Sequence, residues 1–436
     1  MKAEILTAEQ KLYGKYNYLN FSMYNGFSVA LIAESTLILY SLKFGVPDYI
    51  VGVMASFLFL GIPFLILGKK LVVSFGATRT VSNAWFCRNL SGMITILAPI
   101  VSYYTSLEYG IAVIIIGAFG FYSFRGVGMI ALLPMLGEIT DKNDLGEFNS
   151  RAFFRFNMGY FISILVLVVL FKFYDSLITF QIVIIIGSLL GIIASIYAKK
   201  VPETSIPRKS ASVSVKNAFI FVYKYPALRK LVYAQTVYFI GLALILPYSM
   251  LALKESYHLS DFKAFEFVLA QFLGAMLISH ISKKLINIIG SKNLLAILFF
   301  LQIIIGGLWL ISPMIFNWLY CFAIFLFLGM TQFGGYLALT HYFLTVTPPD
   351  KRIGSTMVVS AVSSILAGLC GAVIGGGLLK LLESFGFHSL GLFHYYFNII
   401  IIITIIGYFT VLKLEKISVL HSIIKIYKLM KKNKAE

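Results

Sequence analysis

Long apolar runs follow one another along the whole chain, separated by short clusters of Lys, Arg, Asn, Ser and Pro. A helix needs about 20 residues to cross a hydrocarbon core of about 30 Å. Segments of that length stand at 18–42, 49–68, 80–103, 108–135, 152–171, 177–198, 230–253, 262–281, 293–312, 317–342, 354–381 and 393–413. Val113–Gly120 and Ile399–Ile403 are continuously apolar, whereas a membrane β-strand would alternate over about ten residues. The pattern predicts an all-α integral membrane protein of about twelve transmembrane helices.

Composition agrees with that reading and charge adds an orientation. Of the 436 residues, 59% are hydrophobic and 12% charged, against about 45–50% and about 25% in soluble domains. The formal net charge of +18 invites a nucleic-acid partner, but its placement argues otherwise. An even number of spans puts both termini on one side, and 28 of the 36 Lys and Arg fall in the termini and loops of that side. Lys43, Lys172, Lys254, Lys263 and Lys380 lie on the other, and Arg88, Arg125 and Arg155 lie inside spans. This positive-inside asymmetry predicts cytoplasmic termini in a cytoplasmic (cell) membrane. The basic tail Lys425–Lys434 is also suited to touching anionic lipid. Met1–Tyr16 is polar and lacks a cleavable-signal pattern. Cys87, Cys321 and Cys370 all fall inside spans, which predicts neither a disulfide framework nor a metal site. No phosphate-binding Gly loop or nucleophile motif stands out, so the sequence predicts no cofactor, no enzyme activity and no nucleotide-driven pump.

The longest internal polar stretch divides six spans from six. Four parts follow: an N-terminal six-helix half (1–198), a cytoplasmic central loop (199–229), a C-terminal six-helix half (230–414) and a basic tail (415–436). Within the loop, Val215–Leu228 mixes lysines with apolar and aromatic residues. It reads either as a short helix on the membrane surface or as an ordered loop packed on the bundle. The halves echo each other. Lys69–Gly76 reads KKLVVSFG and Lys283–Gly290 reads KKLINIIG, four of eight matching at an offset of 214. Arg79 and Lys292 follow, and a weaker echo at an offset of 207 pairs Gly128 with Gly335, Ala131 with Ala338 and Thr140 with Thr347. Agreement in topological position predicts internal duplication.

On these features the chain resembles the major facilitator superfamily over essentially its whole length. The resemblance implies two pseudo-symmetric six-helix halves and solute transport by alternating access. The family's Gly-, Asp- and Arg-rich loop between spans two and three corresponds to Gly68–Arg79, with Lys283–Lys292 at the repeat. Here Lys69, Lys70, Gly76 and Arg79, and Lys283, Lys284 and Gly290, stand as gating-loop residues, but Val72 and Val73 occupy the family's Asp position. Arg125-Gly126-Val127-Gly128 loosely matches the span-four Arg/Gly motif, and span five lacks the Gly-Pro motif of many antiporters. That absence implies symport or uniport.

Charges inside a membrane usually face a cavity or a partner. Arg125 and Arg88 are the deepest cations, and Glu34 in span one is the leading carboxylate for proton coupling. By resemblance Glu34 pairs with Arg125; alternatively each is balanced by another neighbour or by water. Arg88 is either half of a structural ion pair or a substrate-facing group. Arg155 reads mainly as snorkelling to the headgroups, and Glu266 is a second, more peripheral acid. Asn25, Gln235, Tyr238 and Gln332 join Arg125 and Arg88 as candidate cavity lining, the other use of such residues being interhelical hydrogen bonding. The glycines Gly368–Gly377 of span eleven suit close packing or a gating hinge. The expected function is secondary active transport of a small polar or anionic organic solute, proton- or cation-coupled, by a monomer whose partners are solute, coupling ion and membrane lipid, with no nucleic acid. The alternatives are an exporter or facilitator of a neutral solute such as a sugar, and a transporter-like sensor or membrane enzyme.

Overall fold

In hydrocarbon every backbone N–H and C=O must be paired within the chain, and the described residues accordingly form helices and no strands. The computed structural model describes residues 5–32, 35–47, 50, 54, 57–141, 144–259 and 261–415, without the side chains of Ser35, Phe59, Lys254, Glu255, Asp261, Ala264, Lys283 and Ala372. The first half contains α1 (Ala8–Ile32), α2 (Ser35–Phe44), α3 (Leu65–Phe75), α4 (Ala77–Ile94), α5 (Leu107–Ile139), α6 (Leu145–Phe173) and α7 (Leu177–Lys200). The connection folds as α8 (Ile206–Ser212) and α9 (Val215–Lys224). The second half contains α10 (Pro226–Tyr257), α11 (Asp261–Leu310), α12 (Trp318–Val346), α13 (Arg352–Leu369), α14 (Gly377–Ser384) and α15 (Ser389–Leu412).

Among the described residues, eleven stretches are long and apolar enough to cross a membrane. They match every expected span except 49–68, part of which lies outside the described residues. The gating loops differ from expectation. Lys69 and Lys70 belong to α3 and Arg79 to α4, with Gly76 alone between the helices at φ 90°, ψ 171°. Lys283, Lys284 and Lys292 lie within α11, whose helical path breaks at Gly290 with φ 80°, ψ 157°. Both turns are thus one residue long, in a backbone region that essentially only glycine occupies. Val72, at the family's Asp position, is fully buried in the apolar core.

The two halves repeat a second device. A Cβ on Gly126 would strike the Gly61 carbonyl, and one on Gly329 would strike the Gln271 carbonyl. Glycine therefore brings backbones together at corresponding crossings, the second and fourth spans in one half and the eighth and tenth in the other. Between the halves, Asn157 Nδ2 of α6 donates to the Ala275 carbonyl at 3.3 Å and to Ser279 Oγ at 3.1 Å on α11. Tyr160 stacks on Phe272, ring centroids 3.5 Å apart. Nearer the chain's basic face, Leu136 and Ile139 share one buried cluster with Leu344 and Ile353. Towards the opposite end of the eleventh span, Cys370–Gly376 is a π-helix. Tyr248 donates to the Gly371 carbonyl there at 2.9 Å.

Candidate functional site

Residues three and four apart share a helix face, and two such sets meet where α1 crosses α4. Asn25 and Ser28 face Trp85, Arg88 and Asn89. Arg88 is fully buried. Its Nη1 donates to Asn25 Oδ1 at 2.9 Å and its Nη2 to Ser28 Oγ at 3.3 Å. Trp85 Nε1 donates to the same Asn25 oxygen at 2.8 Å. The guanidinium carbon lies 4.9 Å from both the Trp85 and the Phe121 ring centroids, a cation–π cage. Ser28 Oγ in turn donates to Asn89 Oδ1 at 2.8 Å. Arg88 is held by neutral acceptors and aromatic faces, with Nε left over. Sequence reasoning found Arg88 and Asn25 but missed Ser28, Trp85 and Phe121. Ser28, Trp85 and Phe121 were legible only as helical spacings, i+3 from Asn25, i−3 from Arg88 and i−4 from Arg125.

Arg125 sits one turn along α5 from Phe121 and is half-buried. It lies fourteen residues from the end of α5 at Ile139, about 21 Å at 1.5 Å per residue. Arg88 lies eleven residues into α4, about 17 Å from the same face. The two charges are close enough to oppose one another. Among the described residues no acid pairs with Arg88 or Arg125, and Arg125 has no hydrogen-bond acceptor. Glu34, the expected partner of Arg125 and candidate for proton coupling, lies outside the described residues.

In the second half the candidate lining is more committed. Gln271 Nε2 donates to Gln332 Oε1 at 2.6 Å, tying α11 to α12. Tyr238 is fully buried and donates to the Thr331 carbonyl at 2.5 Å, so its hydroxyl serves packing. Gln235 is buried on α10. Arg155 is exposed, its Nη1 3.7 Å from Met23 Sδ. Glu266 accepts from Trp318 Nε1 at 3.4 Å near the start of α11. Lys70, Arg79 and Lys284 are exposed at the basic face, while Lys69 is largely buried.

That face is bound together by acids. Lys11 Nζ lies 2.6 Å from Asp141 Oδ1. This hydrogen bond holds the Asp141 carboxyl below the usual carboxylate range. Lys15 pairs with Asp144, and Arg151 with Glu147. Thr78 N donates to Glu203 Oε2 at 2.9 Å, so a linker acid caps the positive end of α4. Thr204 N donates to Glu138 Oε2 at 3.0 Å. The connection is therefore fastened to the first half. Ile353 N donates to Ser210 Oγ at 2.9 Å, which fastens it to the second. Among the described residues no group of His, Cys, Asp and Glu is placed to hold an ion.

The model of the Major Facilitator Superfamily matches residues 17–369. No curated relative matches the chain. Solved structures do. The proton:xylose symporter XylE bound to 6-bromo-6-deoxy-D-glucose superposes with a TM-score of 0.68 at 12% identity, covering 96% of this chain and 100% of that one. A bacterial homologue of the iron transporter ferroportin, outward-facing with soaked iron, gives 0.65 at 12% identity over 94% and 99%. The transporter FucP in its outward conformation gives 0.63 at 12% identity over 91% and 98%. At that identity the resemblance carries the fold.

Proposed function

The chain belongs to the major facilitator superfamily, and from that premise we propose that it is a secondary active transporter of a small polar or anionic organic solute. Alternating access of its two halves would carry the solute, driven by a proton or cation gradient. The supporting observation is Arg125. It is a mid-span guanidinium, half-buried and without an acceptor among the described residues. A planar fork without an acceptor among the described residues is suited to a carboxylate or phosphate on the solute. Arg88 has both its Nη groups engaged, by Asn25 and Ser28. It acts as a fixed second charge that raises the potential at Arg125 without touching the solute. Gln332 and Gln235 offer polar groups from the second half, and Glu34 takes up the coupling proton. The protein works as a monomer in the cytoplasmic membrane, basic face inward, with no enzymatic step.

The test is flux into proteoliposomes under an imposed pH gradient, with carboxylates, phosphate esters and sugars offered in parallel. Saturable, gradient-driven uptake of an anionic class, not competed by sugars, is expected. Transport of a sugar alone would replace this reading with that of a neutral-solute carrier. No saturable flux of any class would favour a sensor or membrane enzyme on a transporter fold.

A further inference from the structure

The accessible faces of α5 and α12 show what stands beside the Arg125 guanidinium. Between residues 121 and 136 of α5, Arg125, Met129 and Leu132 are among the few side chains not buried, and at i, i+4 and i+7 they share one face. α12 is more enclosed. It packs against α10 and α11 of its own half and against α5 and α6 of the other. From Cys321 to Val346 only Tyr336 is exposed, at 37%. With helices of both halves around it, a mid-span side chain left open there faces the space between the halves. Gln332, one turn earlier on the same face, lies fourteen residues from the end of α12 at Val346. That is level with Arg125, fourteen residues from the end of α5 at Ile139. Tyr336 and Met129 each lie ten residues from those ends, about 6 Å nearer the basic face at 1.5 Å per residue. The Tyr336 ring leans on the buried Phe239 of α10, centroids 5.0 Å apart and planes at 49°. A polar layer of Arg125 and Gln332 thus adjoins an apolar layer of Met129, Tyr336 and Phe239.

Resting on the reading of Arg125 as the anion-binding group, we propose that the solute is an aryl carboxylate, its carboxylate on Arg125 and its ring against Tyr336. Small-molecule sites are mostly apolar with a few placed polar groups, and the two layers have that composition. Aromatic rings favour offset or edge-on partners. Phe239 already supports the Tyr336 ring from one side, so the exposed side is a pre-set surface that loses little freedom when a second ring arrives. The unbranched thioether of Met129 adapts to a ring edge across from it. A small hydrophilic anion would satisfy Arg125 and leave this apolar layer uncovered. Arg125 therefore selects the charge and Tyr336 selects the ring.

Saturation-transfer NMR on the full-length protein in detergent, with protein-free micelles subtracted, reads binding without transport. The probes are benzoate, cyclohexanecarboxylate with the same number of carbons, and acetate. Benzoate should bind about two- to tenfold more tightly than cyclohexanecarboxylate, the factor that an aromatic pair supplies, and acetate more weakly than either. Tyr336→Ala should lower benzoate affinity by that factor and erase its advantage, while Tyr336→Phe keeps the ring and should keep the advantage. Arg125→Lys should weaken all three probes. Benzoate and cyclohexanecarboxylate bound alike by the parent, or a benzoate advantage that survives Tyr336→Ala, would overturn the ring contact and leave the reading of Arg125 standing. Binding of none of the three, or a benzoate affinity indifferent to Arg125→Lys, would overturn both.

Discussion

Gly76 and Gly290 share a conformation but not an environment, and that difference makes a sharp prediction. At each, alanine would be forced into a backbone region that costs about 1–3 kcal/mol for a residue with a Cβ. At Gly290 nothing lies within 4 Å of the added Cβ, so strain is the whole penalty. At Gly76 the Cβ would collide with Glu203 Oε1. The carboxylate would be pushed off Thr78 N, and the lost cap adds about 0.5–2 kcal/mol. Gly76→Ala should therefore destabilise more than Gly290→Ala by that increment. Glu203→Ala removes the cap in advance, so in its background Gly76→Ala should cost only the strain. The coupling energy should be about 0.5–2 kcal/mol. Unfolding by SDS in mixed micelles, followed through the buried Trp85 and Trp309, measures all four proteins. Equal penalties at the two glycines, or strictly additive effects of Gly76→Ala and Glu203→Ala, would refute the reasoning.

Asn25→Ala should cost about 3 kcal/mol in the same assay, the upper end of the ~1–3 kcal/mol for orphaned buried donors, because Arg88 and Trp85 lose one shared acceptor; Asn25→Asp should keep the fold while raising the KM for an anionic solute. Asp141 is 64% exposed, so its contact with Lys11 contributes less than about 1 kcal/mol. Its carboxyl is held low when folded, so that contribution is present above the unfolded value of about 3.9 and lost as pH falls through the folded one. The stability gap between the parent and Asp141→Asn should thus close on acidification, and a gap that widened instead would reverse the assigned sign. Glu34→Gln should abolish uptake driven by a pH gradient while solute exchange continues; loss of both, or of neither, would remove Glu34 from the coupling role.

The spans were legible because hydrocarbon demands long apolar helices whatever their neighbours, and the duplication was legible because the Lys-Lys-Leu echo sets Gly76 and Gly290 at matched points, where both take positive φ. The turns themselves were misjudged. Lysines near a membrane face read as loop residues, yet in α3 and α11 they are ordinary helical positions and a single glycine makes the turn. At the site, sequence depth brought Arg88 and Arg125 forward together, with Arg125 set against Glu34 by resemblance and Arg88 open between an ion pair and a solute contact. Their roles depend on what crosses each helix: Asn25, Ser28, Trp85 and Phe121 enclose one guanidinium, while the other has no acceptor among the described residues. Tyr238 shows the same limit, since a polar residue in a span looks alike whether it meets a solute or, as here, the Thr331 carbonyl.

The central claim is that Arg125 reads a negative group on the solute. Arg125→Lys keeps the charge and removes the planar fork. Uptake of the anionic solute into proteoliposomes should then fall by about ten- to a hundredfold in kcat/KM, the equivalent of the ~1.5–3 kcal/mol of a charged hydrogen bond. An Arg125→Lys protein that transports the anion as well as the parent does would contradict the account.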